Sequence, residues 1–401
     1  MIVRYESWGA WVKVETTAAI VALDRDGVRA LGLDGGDAWT RAMPGRPLEV
    51  HMAVTSRCAA GCTGCYLDAR PDGEEPPRDV LIAALDALRD AGVFTVAFGG
   101  GEPTTRDDVG LLAEEARARG ITPVLTTSGL GLRAEKIDRL RAFAQVNVSY
   151  DGEGADYETV RGYDGARVAE SAIASLAKAG IPVGVNIVLT RDTFDRLPQT
   201  IDRARSFGAR EAQLLRYKPA GRAASLDYLA RRLSPRQAAS LGPTLRALCE
   251  RAGDMRVRID CALVPFLSAD ETIASRPEDL ARLGVFGCEA GNALAALRVD
   301  GFIAPCSFAE ATTLRANDLA EGSADAALAK WRAYADRPDE PCASCTLRPV
   351  CKGGCKVVSR FVDGVHGPDP ECPRVRAYRS ETPTITGSAD SVTPNASLTP
   401  R

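Results

Sequence analysis

Three cysteines in the first third of the chain have types and spacing that could do chemistry. Cys58, Cys62 and Cys65 follow a C-x3-C-x2-C spacing. Three thiolates on one short loop can bind three irons of a [4Fe–4S] cluster and leave the fourth iron open. Gly61 and Gly64 would let the loop backbone curl closely around such a cluster. A zinc site would favour a fourth protein ligand, and no His or Cys follows nearby, so the spacing favours iron and sulfur.

The composition places these thiols in a reducing setting. The 401 residues contain 12 Cys but 2 His, and the remaining cysteines all fall between Cys249 and Cys372. A formal net charge of −3 favours neither a nucleic-acid partner nor a membrane surface. The sequence shows no secretory signal and no apolar run long enough to span a membrane, so we expect a cytoplasmic protein. Patterned cysteines there are metal ligands or redox groups more often than disulfides.

Alternating strands and helices must position these residues. Apolar, β-branched runs predict strands near 48–55, 93–98, 121–127, 145–150, 182–189 and 211–217. Amphipathic runs predict helices near 78–91, 107–119, 134–143, 166–179 and 195–207. Repeated strand–helix units predict parallel strands, in an open doubly wound sheet or an incomplete barrel. In a barrel, the loops after the strands build the active site, and the three cysteines follow the first strand.

The chain divides into five predicted segments. Residues 48–218 form the core of strands and helices, residues 219–284 a helical bridge, and residues 285–376 a cysteine-rich domain. Residues 377–401 are predicted to be disordered because they are rich in Ser, Thr and Pro. Residues 1–47 predict a hairpin and a short helical or loop piece. The hairpin would close the barrel or hold a peptide by strand addition.

The cysteine triplet, followed by Tyr66, resembles the hallmark of the radical S-adenosylmethionine (SAM) enzymes. The resemblance implies that the open iron chelates the methionine moiety of SAM. One electron would then cleave SAM to methionine and a 5′-deoxyadenosyl radical, which abstracts hydrogen from the substrate. It also implies a ferredoxin or flavodoxin-type reductant. The cofactors would supply the reactivity and the protein the orientation.

Further motifs carry the same resemblance into the SAM site. Gly99 to Pro103 is similar to the GGEP motif, which contacts the SAM amino group. Ser149, Asp151 and Arg161 are similar to the S-x-D-G…R-G stretch of family members that modify peptides. The alternative interpretation of these residues is a turn at the end of a strand and a surface arginine. Ser128 stands where relatives often carry Asn. The predicted SAM-binding residues are Gly100, Gly101, Glu102, Pro103, Ser128, Ser149, Asp151 and Arg161.

The later cysteines resemble the SPASM domain, a C-terminal extension with two auxiliary iron–sulfur clusters, and the resemblance implies that both are [4Fe–4S] clusters. The resemblance assigns one auxiliary cluster to Cys342, Cys345, Cys351 and Cys372. It assigns the other to Cys288, Cys306 and Cys355, with Cys261 as either a fourth ligand or a buried apolar cysteine. Cys249 is predicted to lie in the core, and a pair of zinc sites is the rival interpretation of the region.

The whole pattern predicts an α/β protein with a partial (β/α)6 TIM-like barrel and a C-terminal SPASM domain. By resemblance it would be a maturase that installs a thioether or carbon–carbon crosslink in a ribosomally made peptide. The alternatives are oxidation of a sulfatase Cys or Ser to formylglycine, and a non-catalytic iron–sulfur or zinc scaffold or electron carrier. Candidate catalytic residues are Glu211, Arg216 and Tyr217 on the sixth strand, although a buried ion pair explains Glu211 and Arg216 equally well.

Overall fold

The structure, a computed structural model, describes residues 1–6, 9–14, 19–33, 35–39, 46–321, 324–336 and 338–381. The strands are β1 (Ile2–Glu6), β2 (Gly9–Val14), β3 (Ala19–Asp24), β4 (Glu49–Thr55), β5 (Thr95–Gly100), β6 (Thr122–Thr127), β7 (Gln145–Ser149), β8 (Val183–Leu189), β9 (Glu211–Arg216), β10 (Arg256–Ile259), β11 (Leu294–Leu297) and β12 (Ile303–Ala304). The helices are α1 (Arg25–Ala30), α2 (Arg78–Asp90), α3 (Val109–Ala118), α4 (Ala134–Ile137), α5 (Ala155–Arg161), α6 (Ala166–Lys178), α7 (Leu197–Ser206), α8 (Asp227–Arg231), α9 (Pro235–Ala239), α10 (Leu241–Ala252), α11 (Glu271–Ala274), α12 (Pro277–Arg282), α13 (Ala316–Glu321), α14 (Ala324–Asp336), α15 (Arg348–Cys351), α16 (Lys356–Asp363) and α17 (Pro373–Glu381). Short 3-10 helices occupy Gly36–Trp39, Pro103–Thr105, Asp138–Ala142, Phe194–Arg196, Gly221–Ala223 and Cys261–Ala269.

The six predicted strands are β4 to β9, and they lie side by side in chain order. Each pairs in parallel with the next, as in the register Val50↔Val96 between β4 and β5. Between successive strands the chain returns through helices such as α2, α3, α6 and α7, as parallel pairing requires. The predicted partial barrel of strand–helix units is therefore confirmed.

Two later strands continue this sheet at both of its edges. β10 pairs in parallel with β9 (Arg256↔Glu211), and β11 pairs in parallel with β4 (Leu294↔Glu49). The hairpin partner of β11, β12, completes a sheet of order β10-β9-β8-β7-β6-β5-β4-β11-β12. β10 lies within the segment predicted as a helical bridge. Its four residues are too few for a periodic signal, and they become a strand because β9 offers an unpaired edge.

The core lies between this sheet and its helices. Along β4 every second residue, Val50, Met52 and Val54, is fully buried. On α2 the buried residues Leu81, Leu85 and Leu88 recur at helical spacing and belong to the same apolar cluster. The two periodicities that predicted the elements thus correspond to the faces that pack together.

The N-terminal residues form a separate antiparallel sheet of three strands, where a two-stranded hairpin was predicted. β2 is its central strand, with registers Ile2↔Lys13 to β1 and Gly9↔Asp24 to β3. Lys13 Nζ donates to the carbonyls of Phe94 (3.2 Å) and Gly120 (2.6 Å), which precede β5 and β6. The small sheet therefore packs against the amino ends of the barrel strands without joining the barrel sheet.

Two details of the C-terminal half differ from the sequence predictions. Cys249 lies exposed on α10 instead of in the core, because Leu248 and Ala252 take the buried positions of that helix. α17 continues to Glu381, so residues 377–381 of the predicted disordered tail are helical, and residues 382–401 lie outside the described part of the chain.

Among the described residues, no helix is both long enough and apolar enough to cross a membrane.

Candidate active site and cysteine sets

The predicted cysteine triplet lies on the loop that leaves the carboxyl end of β4. The Cys58 backbone N–H donates to the Arg70 carbonyl (2.8 Å), which draws the two ends of the loop together. The backbone N–H groups of Ala60 and Ala69 each donate to a cysteine sulfur, Cys58 and Cys65, at 3.4 Å. All three thiols are partly exposed. Sulfur atoms that already accept N–H donors on an open loop suit ligation of an iron–sulfur cluster.

A second segment, directly after β9, holds this loop in place. The Arg222 side chain donates to the Cys62 carbonyl (2.8 Å) and to Asp68 (2.8 Å), and its backbone N–H donates to the Cys65 carbonyl (2.8 Å). Sequence reasoning missed Arg222, because only the fold brings it to a loop 160 residues earlier. Tyr217, a predicted catalytic candidate, packs its ring against Gly64, where an added Cβ would lie 2.9 Å from the ring. Gly64 therefore has no room for a side chain.

The predicted glycine motif lies beside the cysteine loop, at the end of β5. Gly101 donates from its backbone to the Thr55 carbonyl (2.6 Å), and a Cβ on Gly101 would come within 2.2 Å of the Arg57 carbonyl. Gly100 has a φ of +124°, which favours glycine. The space next to Gly99 is open, since a Cβ there would meet no atom within 4 Å. The motif thus combines a close approach to the cysteine loop with an open side.

Glu102 is buried and its carboxylate is occupied by donors of the chain itself. Oε1 accepts from the hydroxyls of Thr104 (2.7 Å) and Thr127 (2.6 Å), and Oε2 accepts from the backbone N–H (2.7 Å) and hydroxyl (2.5 Å) of Ser128. Pro103, the next residue, begins a buried 3-10 turn. Glu102 therefore ties the ends of β5 and β6 together, and it is the partner that the predicted Ser128 uses.

The third predicted motif is brought to the same end of the barrel. Ser149 is the last residue of β7 and is buried. Asp151 accepts from the Val188 N–H (2.6 Å) and from Arg161 Nε, and the Arg161 carbonyl accepts from Thr63 in the cysteine loop (3.0 Å). Burial opposes the charge of Arg161, but the Asp151 carboxylate still holds the pKa of Arg161 above its ordinary value. A fixed cation therefore lies beside the loop.

The other two catalytic candidates lie elsewhere. Glu211 is the first residue of β9, at the opposite end of the barrel from the cysteine loop, where it pairs with Arg256 (3.1 Å) and Gln145 (3.0 Å). Arg216 is the last residue of β9 and pairs with Asp369 and Glu371, all three being buried. Both thus have the ion pairs that the sequence analysis kept as the alternative to catalysis.

Four of the C-terminal cysteines surround one cavity. Cys342, Cys345, Cys351 and Cys372 line one small cavity. Burial raises the pKa of Cys342 to about 11 and that of Cys351 well above its ordinary value. The structure thus gathers the set that the resemblance assigned to one auxiliary cluster, from segments separated in sequence.

The other assigned set lies nearer the barrel. Cys288 and Cys306 pack against the same small apolar cluster of Ala290, Ala309 and Trp331, and Cys355 lies in a second one with Tyr217 and Ala262. Burial raises the pKa of Cys306 to about 12 and that of Cys355 to about 11.

Cys261 begins the 3-10 helix that follows β10. Burial raises its pKa well above the ordinary value, and the nearby charges of Asp260, Cys288 and Cys355 act in the same direction. Cys261 therefore lies next to members of the second set.

Lys218 and Phe308 stand between the cysteine loop and this set, and sequence reasoning missed both. Lys218 is buried, pairs with Asp260, and holds Nζ 4.1 Å from the centre of the Phe308 ring. The centre of the Phe308 ring lies 4.9 Å from the centre of the Tyr66 ring, and Tyr66 directly follows the cysteine triplet. A single-sequence signal existed only for Lys218, which follows the carboxyl end of a predicted strand.

Across the described ranges, no three His, Cys, Asp or Glu side chains are grouped so as to hold a metal ion.

Fold and site together define a class: an α/β barrel with a three-thiol loop at the carboxyl ends of its parallel strands. Residues 52–204 match the radical SAM superfamily. The chain therefore contains a radical SAM domain.

Relatives resemble the chain over most of its length. It is 27% identical over 341 residues to the mycofactocin maturase MftC of Mycolicibacterium smegmatis, covering 81% of this chain and 82% of the relative. It is 28% identical over 355 residues to the PqqA peptide cyclase of Ruegeria pomeroyi, covering 85% and 90%.

Solved structures share the fold. Streptococcus suis SuiB bound to its precursor peptide SuiA superposes with a TM-score of 0.72 at 17% identity, covering 92% of this chain and 98% of SuiB. The protein anSMEcpe, with bound AdoMet and a peptide, gives a TM-score of 0.61 at 19% identity, covering 83% and 96%. Both matches extend beyond the barrel into the cysteine-rich region, which is consistent with a SPASM-type domain.

Proposed function

We propose that the chain is a radical SAM peptide maturase that installs a thioether or carbon–carbon crosslink in a ribosomally made peptide. The observation that carries the proposal is the set of three partly exposed thiols at the carboxyl end of the barrel strands. Over four fifths of its length, the chain is also similar to a maturase and to a peptide cyclase. The sulfatase-type and scaffold alternatives have no comparable observation in their favour.

In this proposal Cys58, Cys62 and Cys65 bind a [4Fe–4S] cluster. Bound cluster and SAM would supply one-electron cleavage of SAM and a radical that removes hydrogen from the substrate. Gly100, Gly101 and Pro103 shape the wall of the SAM site, where the open side of the glycine run admits a ligand. Glu102 and Ser128 brace this wall by their mutual hydrogen bonds.

The far side of the same site is formed by the ends of β7 and α5. Asp151 fixes the Arg161 guanidinium beside the cysteine loop, and Ser149 lies two residues earlier. We assign Arg161 to an anionic group of SAM, since a guanidinium can pair with a carboxylate through two parallel hydrogen bonds. Tyr217 shields the loop at Gly64 and is the remaining member of the three catalytic candidates that lies at this site.

We further propose two auxiliary [4Fe–4S] clusters. The cavity lined by Cys342, Cys345, Cys351 and Cys372 supports one of them. Cys288, Cys306 and Cys355, with Cys261 as the fourth ligand, would hold the other. The buried, protonated thiols must lose protons when they bind iron, so loading releases protons and stabilises the fold.

The substrate in this proposal is a leader-bearing precursor peptide, and the reductant is a ferredoxin or flavodoxin-type protein that acts in the cytoplasm. In this proposal the leader binds by strand addition at β3, because β3 pairs only with β2 among the described residues and exposes Ile20 and Val21.

Anaerobic reconstitution with iron and sulfide tests the proposal. We expect about twelve irons per chain, as three four-iron clusters, and 5′-deoxyadenosine formed from SAM with dithionite. Replacing Cys58, Cys62 and Cys65 with Ala should abolish 5′-deoxyadenosine formation, whereas Cys249→Ala should preserve it because that thiol is exposed on α10. A loaded wild-type protein that does not cleave SAM would contradict the proposal and favour the scaffold.

A further inference from the structure

Arg216 connects the barrel to the cysteine-rich domain through two carboxylates. Its Nη1 and Nη2 donate to Asp369 at 2.6 and 3.0 Å, and Nη2 also donates to Glu371 at 2.8 Å. The side chains of Arg216, Asp369 and Glu371 are each at most 3% exposed. The contacts therefore form a buried ion network between residues about 150 positions apart.

Asp369 is in contact with both C-terminal cysteine sets. Its Oδ2 accepts from the backbone N–H of Cys355 (3.0 Å), a member of the set nearer the barrel. Asp369 also lines the cavity of Cys342, Cys345, Cys351 and Cys372. The same carboxylate that binds Arg216 thus reaches a ligand of one set and the wall of the other.

Two neighbouring contacts extend the network towards both sets. Arg216 Nη1 donates to the carbonyl of Ala262 (2.9 Å), the residue after Cys261. Glu371 directly precedes Cys372, and its N–H donates to Asp369 Oδ1 (3.0 Å).

The network contains two cations and two anions. Arg232 and the Tyr228 hydroxyl both donate to Glu371 Oε1, at 2.8 and 2.7 Å. Arg216 and Arg232 therefore balance Asp369 and Glu371. Within a buried site, loss of one member would leave an uncompensated charge beside both cysteine sets.

We propose that Arg216 is a positioning residue whose charge, acting with Asp369, sets the reduction potentials of both auxiliary clusters together. The inference rests on the proposed function, which supplies the clusters. Reduction adds an electron, and cluster potentials respond to nearby charge and to hydrogen bonds at the ligands. Arg216 binds the Asp369 carboxylate that contacts both sets, so its positive charge favours the reduced states of both clusters, whereas the Asp369 carboxylate disfavours them.

Redox titration of the reconstituted holoenzyme, followed by EPR, tests this. Arg216→Gln should shift the midpoint potentials of both auxiliary clusters to more negative values, and Asp369→Asn should shift both to more positive values. An asparagine oxygen can still accept from the Cys355 N–H, so Asp369→Asn keeps the contact and removes the charge. Arg216→Lys, which retains the charge, should restore most of the wild-type potentials.

Arg106→Gln is the matched control. Arg106 is also buried and binds a carboxylate through two nitrogens, Asp108 at 2.8 and 2.9 Å, but its other hydrogen bonds go to the carbonyls of Val54 and Pro76 in the barrel domain. It should leave the auxiliary potentials unchanged.

Shifts of opposite sign in Arg216→Gln and Asp369→Asn would show an electrostatic role. A merely structural role would instead lower the iron content of both variants, and the potentials would not follow the sign of the charge removed. If Arg216→Gln fails to fold, the sign of the Asp369→Asn shift still decides. Unchanged potentials in Asp369→Asn with full iron content, or shifts of the same sign in both variants, would overturn the inference alone. A wild-type protein whose C-terminal cysteines bind no iron would overturn the proposed function as well.

Discussion

Asp260 shows how a single carboxylate fixes a candidate ligand. Its Oδ1 accepts from the backbone N–H groups of Ala262 and Leu263, both at 3.1 Å, so it caps the 3-10 helix that begins with Cys261. Its Oδ2 binds Lys218 and accepts from the Arg216 N–H (3.3 Å). Because a side-chain cap satisfies the first donors of a helix, Cys261 has a defined place next to Cys288 and Cys355.

Cys261→Ala should therefore change the proposed auxiliary cluster nearer the barrel. Losing one of four thiolates opens an iron, so we expect an altered EPR signal for that cluster, accessible to added cyanide, and a loss of up to one four-iron equivalent per chain. Iron analysis and EPR of the reconstituted protein measure both. Cys249→Ala is the control with an exposed thiol. A Cys261→Ala protein with the wild-type spectrum would show that Cys261 is a buried cysteine and not a ligand.

Among single residues, the sequence predicts the three candidate cluster ligands better than it predicts the side chains that hold them in place. Spacing within one short loop identifies Cys58, Cys62 and Cys65, because neighbours in sequence must be neighbours in space. Arg222 and Asp369 could not be predicted in the same way, and the only signal for Lys218 was its place after a predicted strand. Each acts on a segment that lies far away in the chain, and a lone Arg, Lys or Asp has no spacing to distinguish it from a solvated surface charge.

Among the elements, the small N-terminal sheet is joined to the barrel by the side chain of Lys13. Lys13 is buried, and its ammonium group binds two carbonyls just before β5 and β6. These carbonyls precede strands and face the end of the barrel, where they need donors from another element. Lys13 thus joins β2 to the start of two barrel strands.

Lys13→Met should loosen this junction. Loss of a charged donor to two carbonyls is expected to cost about 1.5–3 kcal/mol in the free energy of unfolding. Hydrogen exchange should show reduced protection in β1 and β2 while β4 to β9 stay protected. Lys178→Met, on the exposed end of α6, is the control. Equal protection of β1 and β2 in both variants would contradict the proposed role of the contact.

The sequence also predicts elements unevenly, for a physical reason. β4 to β9 have alternating or continuous apolar runs that are long enough to show a period, and the structure has all six. β10 and the third strand of the N-terminal sheet have short or exposed faces, so their conformation depends on the neighbouring strand that they pair with.

In the whole molecule, the N-terminal sheet and the cysteine loop lie at opposite ends of the barrel. Lys13 contacts the residues before β5 and β6, whereas the cysteines follow the carboxyl end of β4. Strands of five to seven residues span about 20 Å at ~3.3 Å per residue. A leader bound at β3 must therefore be joined to the modified segment by at least about six extended residues.

Val21→Lys tests leader binding at β3. Charged side chains on an edge strand oppose pairing with another strand, so we expect several-fold weaker binding of a fluorescent synthetic peptide that matches a short reading frame next to the gene. Fluorescence anisotropy measures the affinity. Val21 is 41% exposed, and Val80→Lys, at 50% exposure on α2, is the matched control. If both variants bind the peptide as the wild type does, β3 is not the leader site.

The pairing of β11 with β4, and of Arg216 with Asp369, has a consequence for biosynthesis. During translation β4 to β9 are made before β11, so β4 lacks its outer partner until residues 294–297 are made. Arg216 lacks its carboxylates until residues 369 and 371 follow. The emerging barrel therefore carries an open strand edge and an uncompensated cation while most of the chain has already left the ribosome. Residues 294–297, 369 and 371 supply these missing partners, so a nascent chain, or one truncated before them, should depend on chaperones for its solubility, and iron should be inserted only after they are made.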